Sequence, residues 1–269
     1  LKHGTPKLLD LLQQKDVQAT FFYTGEAATI EPHMLPQINR LGHEVGAHSL
    51  HHETVGDPLF EIPGVKPLLP EEVPLRLQRC HELVESALGE APVSFRSPRL
   101  WGSTTVCNTL EDMGYVADAS YPMYFYQKQL VPYHPSREDW TESGDMRLLE
   151  IPNFANMAME STDQYGRDRD QWPLWRTESA DALMEHIEAF IGYVLERNLP
   201  AVLCFYMHPW EFLPMQAEYH FGEGTVIPDP FIVKNCGDYA LEQLGVLIDR
   251  LQERGGRFTT CRQLASEWE

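Results

Sequence analysis

Two histidines four residues apart are the first feature of this sequence that could do chemistry. His48 and His52 lie in the segment GHEVGAHSLHH, at the end of a predicted strand. This spacing can aim two imidazoles at one divalent ion, and neutral imidazole is a common metal ligand. Histidines also occur at this spacing by chance, and a neutral histidine often only satisfies a buried polar group. The pair alone leaves both interpretations open.

Two further polar residues follow short apolar segments. Arg96 in FRSPRLWGS ends one predicted strand, and His208 follows the apolar run AVLCFYM. An arginine in such a place can equally form an exposed salt bridge, worth about 0 to 1 kcal/mol. In βα folds, however, catalytic groups collect at the carboxyl ends of the strands. Three polar residues at such ends favour a shared site.

The elements that must position these residues alternate between strands and amphipathic helices. Helices are predicted from Thr5 and over 34–41, 71–88, 179–198 and 238–254. Strands are predicted over 18–23, 43–49, 93–98 and 201–207. Two stretches without periodicity, 56–70 and 121–177, are predicted to be long loops. The alternation predicts an α/β fold with a parallel sheet or a βα barrel.

Composition narrows the class of protein. The 269 residues, 43% of them hydrophobic, suit a single domain over 1–269. The net charge of −19 disfavours nucleic acid or an anionic membrane as partner, although the acids could simply solvate the surface. No apolar run approaches the roughly 18 to 20 residues that span a bilayer. We expect a protein that neither binds nucleic acid nor enters a membrane.

The cysteines point to a reducing compartment. They are five in number and form no CxxC pair, which argues against a disulfide framework or a cysteine-built zinc site. The first residues show no export signal. A cytoplasmic location is predicted on these grounds.

Six segments, taken in order, give the sequence a family resemblance. They are ATFFYTG, GHEVGAHSLHH, FRSPRLWG, GYVADASYP, LLEIPN and YMHPWE. Together they resemble the polysaccharide deacetylase (NodB-homology, carbohydrate esterase family 4-like) family over nearly the whole chain. The resemblance implies a distorted (β/α) barrel that hydrolyses non-peptide C–N bonds, removing N-acetyl groups from a sugar or polysaccharide. It also implies a divalent metal, zinc in the first place, with cobalt, nickel or iron compatible with the same ligands.

The resemblance assigns a role to each candidate residue. His48 and His52 become metal ligands, Arg96 the partner that positions a catalytic aspartate, and His208 the general acid. Asp118 takes the position that orients this acid. Without the resemblance, Asp118 fits equally well as a loop aspartate that caps the turn in DASYP.

The sequence departs from the family at its start. The family's first motif is an aspartate pair that supplies the base and a third metal ligand, ahead of the helix that leads into ATFF. Before Ala19 the only acids are Asp10 and Asp16, on and at the end of the predicted first helix, and neither suits the role. We therefore expect either that the first strand and its aspartates are missing from this chain, or that the domain binds without catalysing.

The substrate stays open between a carbohydrate and a small amide, and the oligomeric state is not predicted. An allantoinase-like or cyclic-imide hydrolase is the first alternative, because HPWE differs from the shorter endings of chitin-type members. A catalytically inactive carbohydrate-binding homologue is the second. Aromatic residues in the long loop could stack on sugar rings or fill the core. These are Tyr121, Tyr124, Phe125, Tyr126, Trp172 and Trp175.

Overall fold

The structure is a computed structural model that describes residues 2–171 and 173–268. The chain divides into two compact units. The first comprises Leu1–Val17, Gln171–Ala189 and Phe205–Arg257, and the second comprises Gln18–Asp170, Phe190–Cys204 and Phe258–Glu269. The single domain expected from the chain length stays a prediction.

A parallel sheet forms the centre of the second unit. Its strands are β1 (Thr20–Tyr23), β2 (Glu44–Ala47), β3 (Ser94–Phe95), β4 (Ala117–Asp118) and β5 (Leu149–Glu150). They pair in the order β1-β2-β3-β4-β5, and every neighbouring pair is parallel. The predicted α/β class with a parallel sheet is confirmed. Over the described residues this pairing runs from β1 to β5 without closing into a barrel.

Helices of the second unit begin and end where the sequence supplies caps. They are α2 (Gly25–Ile30), α3 (Met34–Arg40), α4 (Val73–Leu88), α5 (Thr104–Asp112), α6 (Met123–Tyr126) and α11 (Cys261–Glu267). The side chains of Thr24, Ser103 and Thr260 accept the backbone hydrogen bonds that start α2, α5 and α11. Gly89 ends α4 with φ +88°, which glycine adopts without steric cost.

Helices also dominate the first unit. They are α1 (Gly4–Gln14), α7 (Leu174–Thr177), α9 (Pro230–Val233) and α10 (Asp238–Glu253), with a hairpin of β6 (Tyr219–Phe221) and β7 (Gly224–Val226). Helix α8 (Ala180–Leu195) contributes residues to each unit. A Cβ on Gly4 would lie 1.9 Å from the Pro209 carbonyl oxygen, so this start of α1 requires glycine. Lys15 pairs with Asp249 at 2.5 Å and ties α1 to α10.

One predicted strand is wrong. Across the described residues the sheet does not extend to 201–207, and these residues are half-buried or exposed rather than buried. The Phe154 N–H donates to the Cys204 carbonyl at 2.9 Å, but a strand needs a ladder of such bonds. His208 therefore follows an extended segment that has no strand assignment. The apolar run predicted burial, and it could not predict the neighbour that a strand requires.

Three observations concern the cysteines, the helices and the long loop. All five cysteines are free. No described helix combines the length and apolar character needed to cross a bilayer. The stretch 121–177 is largely irregular and holds α6, β5 and α7 as its short regular elements within the described part.

Candidate metal and acid–base site

The end of β2 delivers the two predicted metal ligands to one place. The His48 N–H donates to the Tyr23 carbonyl at 2.8 Å, which extends the pairing with β1 by one residue. Ser49 and His52 then adopt φ values of 61° and 62°, a left-handed conformation that such residues seldom take. This turn brings the rings of His48 and His52 to a centroid distance of 5.0 Å. Rare backbone conformations of this kind cluster at functional sites.

His48 is held in the tautomer that a metal ligand needs. Its Nδ1 lies 2.6 Å from the Arg96 carbonyl oxygen. A carbonyl oxygen can only accept, so Nδ1 carries the proton and Nε2 carries the lone pair. Metal-ligating histidines commonly donate their second ring N–H to a carbonyl in this way. His48 and His52 thus fit two positions in the coordination shell of a divalent ion.

The described residues offer no complete ligand set around this pair. No group of three His, Cys, Asp or Glu residues with ligand atoms within 4.8 Å of one another includes His48 and His52 in residues 2–171 and 173–268. Catalytic zinc sites usually have three protein ligands. Within the described residues the pair could therefore supply two ligands of a metal ion, and a third ligand is not found beside it.

Arg96 follows β3 and is fixed by several acceptors. Its Nε donates to the Ala119 carbonyl at 2.9 Å, and one Nη donates to Asn153 Oδ1 at 3.0 Å and contacts Cys204 Sγ at 3.1 Å. The guanidinium also lies 4.9 Å from the centre of the Phe22 ring. These contacts orient a permanent cation within the second unit. Its predicted role, to position a catalytic aspartate, stays a prediction.

Asp118 lies in β4 directly opposite Glu150 in β5, and both side chains are fully buried. Burial raises the pKa of Asp118 to about 6. Burial first, and then repulsion from Asp118, raises the pKa of Glu150 well above its ordinary value. Two carboxyl groups this close cannot both ionise easily in an apolar interior. The pair therefore holds its protons to higher pH than exposed carboxyl groups do.

Hydrogen bonds explain how this pair is held. The Ser120 hydroxyl donates to Asp118 Oδ1, and the backbone N–H groups of Ser120 and Tyr121 donate to Glu150 Oε1 at 3.0 and 2.7 Å. The second oxygen, Glu150 Oε2, is buried, and no N–H or hydroxyl group of the described residues donates to it, which leaves the Asp118 carboxyl as its partner. Glu150 was not among the residues predicted for the site. It could have been recognised as a glutamate within the apolar segment LLEIPN, where burial of an ionised side chain would be costly.

A second set of possible ligand atoms joins this pair. Cys107, Asp118 and Glu150 place ligand atoms within 4.8 Å of one another in the interior. Burial also raises the pKa of the Cys107 thiol well above its ordinary value. Metal ligands must lose their protons before they bind. This cluster is built to keep protons, so the histidine pair is the better candidate for an ion.

His208 belongs to the first unit and has its own carboxylate partner. It precedes a short 3₁₀ helix over Pro209–Phe212, and its Nδ1 lies 3.1 Å from Glu211 Oε1. The imidazole stacks on Trp210 with a centroid distance of 5.5 Å and an interplanar angle of 19°. No role was predicted for Glu211, although it lies in the segment HPWE. Glu211 is the third residue after the N-cap His208, which is the position of the glutamate in a capping box.

The structure separates the aromatic residues into two groups. Tyr121, Tyr124 and Trp175 are buried, and Trp175 stacks on Phe212 at 5.9 Å, so these three fill the interior. Phe125 and Tyr126 are half-buried, and both interpretations stay open for them. Trp172 lies outside the described residues.

The chain is similar in sequence to known deacetylases. The sequence profile of a family described as polysaccharide deacetylase matches residues 2–117. A peptidoglycan-N-acetylglucosamine deacetylase of Bacillus cereus is 26% identical over 169 residues, which cover 62% of this chain and 69% of that protein. The chain spans between 18 and 69% of the length of the first curated relatives it matches.

Solved structures show a similar fold at low sequence identity. The crystal structure of PuuE allantoinase matches with a TM-score of 0.62 and 16% identity, over 99% of this chain and 72% of that one. A mutant of a CE4 family pseudoenzyme matches with a TM-score of 0.53 and 16% identity, over 97% and 62%. These neighbours agree with the observed α/β fold and its parallel sheet. Residues 2–117 thus match the polysaccharide deacetylase family, and the chain is similar in sequence to proteins named as deacetylases.

Proposed function

We propose that this protein is a divalent-metal-dependent hydrolase that removes N-acetyl groups from a sugar polymer. The observation that carries the proposal is the pair His48 and His52, with rings 5.0 Å apart and His48 Nδ1 bound to the Arg96 carbonyl. This arrangement gives His48 the tautomer in which Nε2 can bind a metal ion. Support for the substrate class comes from the Bacillus cereus relative, which is named for the removal of acetyl groups from peptidoglycan N-acetylglucosamine.

The residues of this chain divide the work as follows. His48 and His52 would hold the ion, which when bound supplies Lewis-acid polarisation and lowers the pKa of water. Hydrolysis adds one water across the C–N bond, and the departing amine nitrogen takes up a proton as that bond breaks. His208 is the group proposed to deliver this proton from its imidazolium form. Arg96 keeps the end of β3 and the His48 ring in a fixed relation through its own carbonyl.

Ion identity follows only in part from these ligands. Imidazole nitrogens suit zinc, cobalt, nickel and iron. Zinc is the first choice because it accepts histidine and carboxylate ligands in an open catalytic site.

A second candidate function is hydrolysis of a small cyclic ureide. The specific observation is the similarity to PuuE allantoinase over 99% of this chain, at a TM-score of 0.62. The burial of Tyr121 and Trp175 removes two aromatic rings that could have formed a sugar-stacking surface. An inactive binding protein is the third possibility, and the structural similarity to a pseudoenzyme is its support.

The test uses the purified protein with whatever residues its gene encodes ahead of Leu1. Metal content is measured by elemental analysis, and the zinc, cobalt, nickel and iron forms are each assayed. The substrates are N-acetylglucosamine oligomers, peptidoglycan and allantoin, and the products are acetate or the opened ureide. Metal-dependent acetate release that is lost in His48→Ala supports the proposal. Opening of allantoin without acetate release supports the second candidate, and bound metal without either product contradicts both enzymatic functions.

A further inference from the structure

In the first unit, a series of polar contacts connects the candidate acid His208 to the buried Glu211, and Glu211 to the buried Arg176. Glu211 Oε1 accepts from the His208 backbone N–H at 2.8 Å and lies 3.1 Å from the His208 Nδ1. Glu211 Oε2 accepts from Arg176 Nε at 2.9 Å. Both Glu211 and Arg176 have no exposed surface, whereas the His208 side chain is 42% exposed. These contacts therefore run from the interior to an accessible imidazole.

Arg176 is anchored so that it holds Glu211 in place. One Nη donates to the Lys234 carbonyl, and the guanidinium lies 5.9 Å from the centre of the Trp210 ring. The Glu211 carbonyl in turn accepts from the Gly237 N–H at 2.8 Å. The remaining Nη2 of Arg176 is buried and has no hydrogen-bond acceptor among residues 2–171 and 173–268. A buried ion pair costs much of its attraction in lost hydration, so it is poor evidence for a role in stability alone.

The contact with Nδ1 has a chemical consequence for His208. A carboxylate can only accept, so the Nδ1 of His208 carries a proton even in the neutral imidazole. The other nitrogen, Nε2, is then the atom through which the imidazole can deliver a proton to a leaving group. The stack on Trp210 fixes the plane of the ring and hence the direction of Nε2.

We infer that Glu211 is the positioning residue of His208 and that Arg176 fixes the carboxylate of Glu211. This inference rests on the proposed function, in which His208 is the general acid. The family resemblance gives the orienting role to Asp118, but the Oδ1 of Asp118 accepts from Ser120 and its side chain is paired with Glu150. Glu211 instead makes the contact with the imidazole and does so through a fully buried, arginine-held carboxylate.

Glu211→Gln is the decisive variant, because it keeps the size of the side chain and an oxygen that can accept from His208. It removes the negative charge. We expect kcat to fall at least about 10-fold with KM little changed, since a general acid contributes about 10²- to 10⁴-fold and would be only partly impaired. A structural role for Glu211 alone would lower the amount of folded protein without lowering kcat per folded molecule.

Glu111→Gln is the matched control. Glu111 is also a largely buried glutamate that accepts from a backbone N–H, that of Leu148 at 2.9 Å, and pairs with Arg147 at 3.2 Å. Glu111→Gln removes the same negative charge, but from a carboxylate that contacts Arg147 and Leu148. We expect its kcat per folded molecule to match that of the unmodified protein. A loss of equal size in both variants would overturn the inference.

A measurement without turnover separates this inference from the proposed function. In protein labelled with ¹⁵N-histidine, the His208 signals are identified by their loss in His208→Ala. We expect neutral His208 to carry its proton on Nδ1 in the unmodified protein. A proton on Nε2 in the unmodified protein overturns the inference, even if Glu211→Gln does not fold. If the tautomer is as expected but no substrate is hydrolysed, the proposed function fails and the positioning by Glu211 stands.

Discussion

Replacing Asp118 by asparagine should change how the stability of the protein depends on pH. Asparagine has the same shape, its oxygen can still accept from Ser120, and its amide can donate to the Oε2 of Glu150. The substitution removes one of two buried carboxyl groups that face each other across β4 and β5. It therefore removes the cost of ionising that group in the interior.

The sign and the size follow from the pKa of Asp118, which burial raises from 3.8 to about 6. Below pH 4 the folded and unfolded chains both hold the proton, and the group costs nothing. Between about pH 4 and pH 6 the unfolded chain releases it while the folded chain retains it, so the folded state loses relative stability. A difference of this size corresponds to about 3 kcal/mol, nearly complete above pH 6. Glu150, whose pKa is also raised, acts in the same direction.

Urea unfolding followed by tryptophan fluorescence between pH 4 and pH 8 measures the effect. The free energy of unfolding of Asp118→Asn, minus that of the unmodified protein, should rise by about 3 kcal/mol across this range. Asp10→Asn is the control, because Asp10 is exposed on α1 and its loss changes net charge equally. A difference that stays constant with pH, or an equal rise in Asp10→Asn, would refute the reasoning that the carboxyl pair holds its protons to higher pH.

The other predictions concern the site. His48→Ala and His52→Ala should each lower the bound metal in elemental analysis while the circular dichroism spectrum is retained, because such ligands contribute more to the binding of the ion than to the stability of the core. If the metal content is unchanged in both variants, the ligand assignment is wrong. His208→Ala should lower kcat by about 10²- to 10⁴-fold with metal content preserved, and loss of the metal would make it a ligand instead. Arg96→Lys should destabilise the protein by about 1 to 3 kcal/mol in the same urea assay, because one ammonium cannot satisfy the acceptors that the guanidinium binds together; a stability equal to that of the unmodified protein would show that these contacts do not hold the end of β3.

Local sequence determined most of the helices and the first strands of this protein. The apolar spacing of Leu77, Cys80, Val84 and Leu88 predicted the buried face of α4, and Gly89 predicted its end. Such features depend on contacts within one or two turns, which the sequence displays directly. The four-residue spacing of His48 and His52 allowed a shared site but did not establish one, and the left-handed conformations of Ser49 and His52 are what bring the two rings together.

Only the tertiary structure decided which distant groups share an environment. Asp118 faces Glu150 because β4 and β5 pair in one register, and a sequence does not state its register. Arg176 reaches Glu211 from a short helix 35 positions earlier in the chain, so no spacing rule links the two. The run 201–207 had the apolar character of a strand but lacks the hydrogen-bonded neighbour that makes one. Charge, burial and hydrogen bonding at these residues are properties of the assembled neighbourhood, because burial raises a pKa and a buried partner fixes a side chain only after the chain has brought them together.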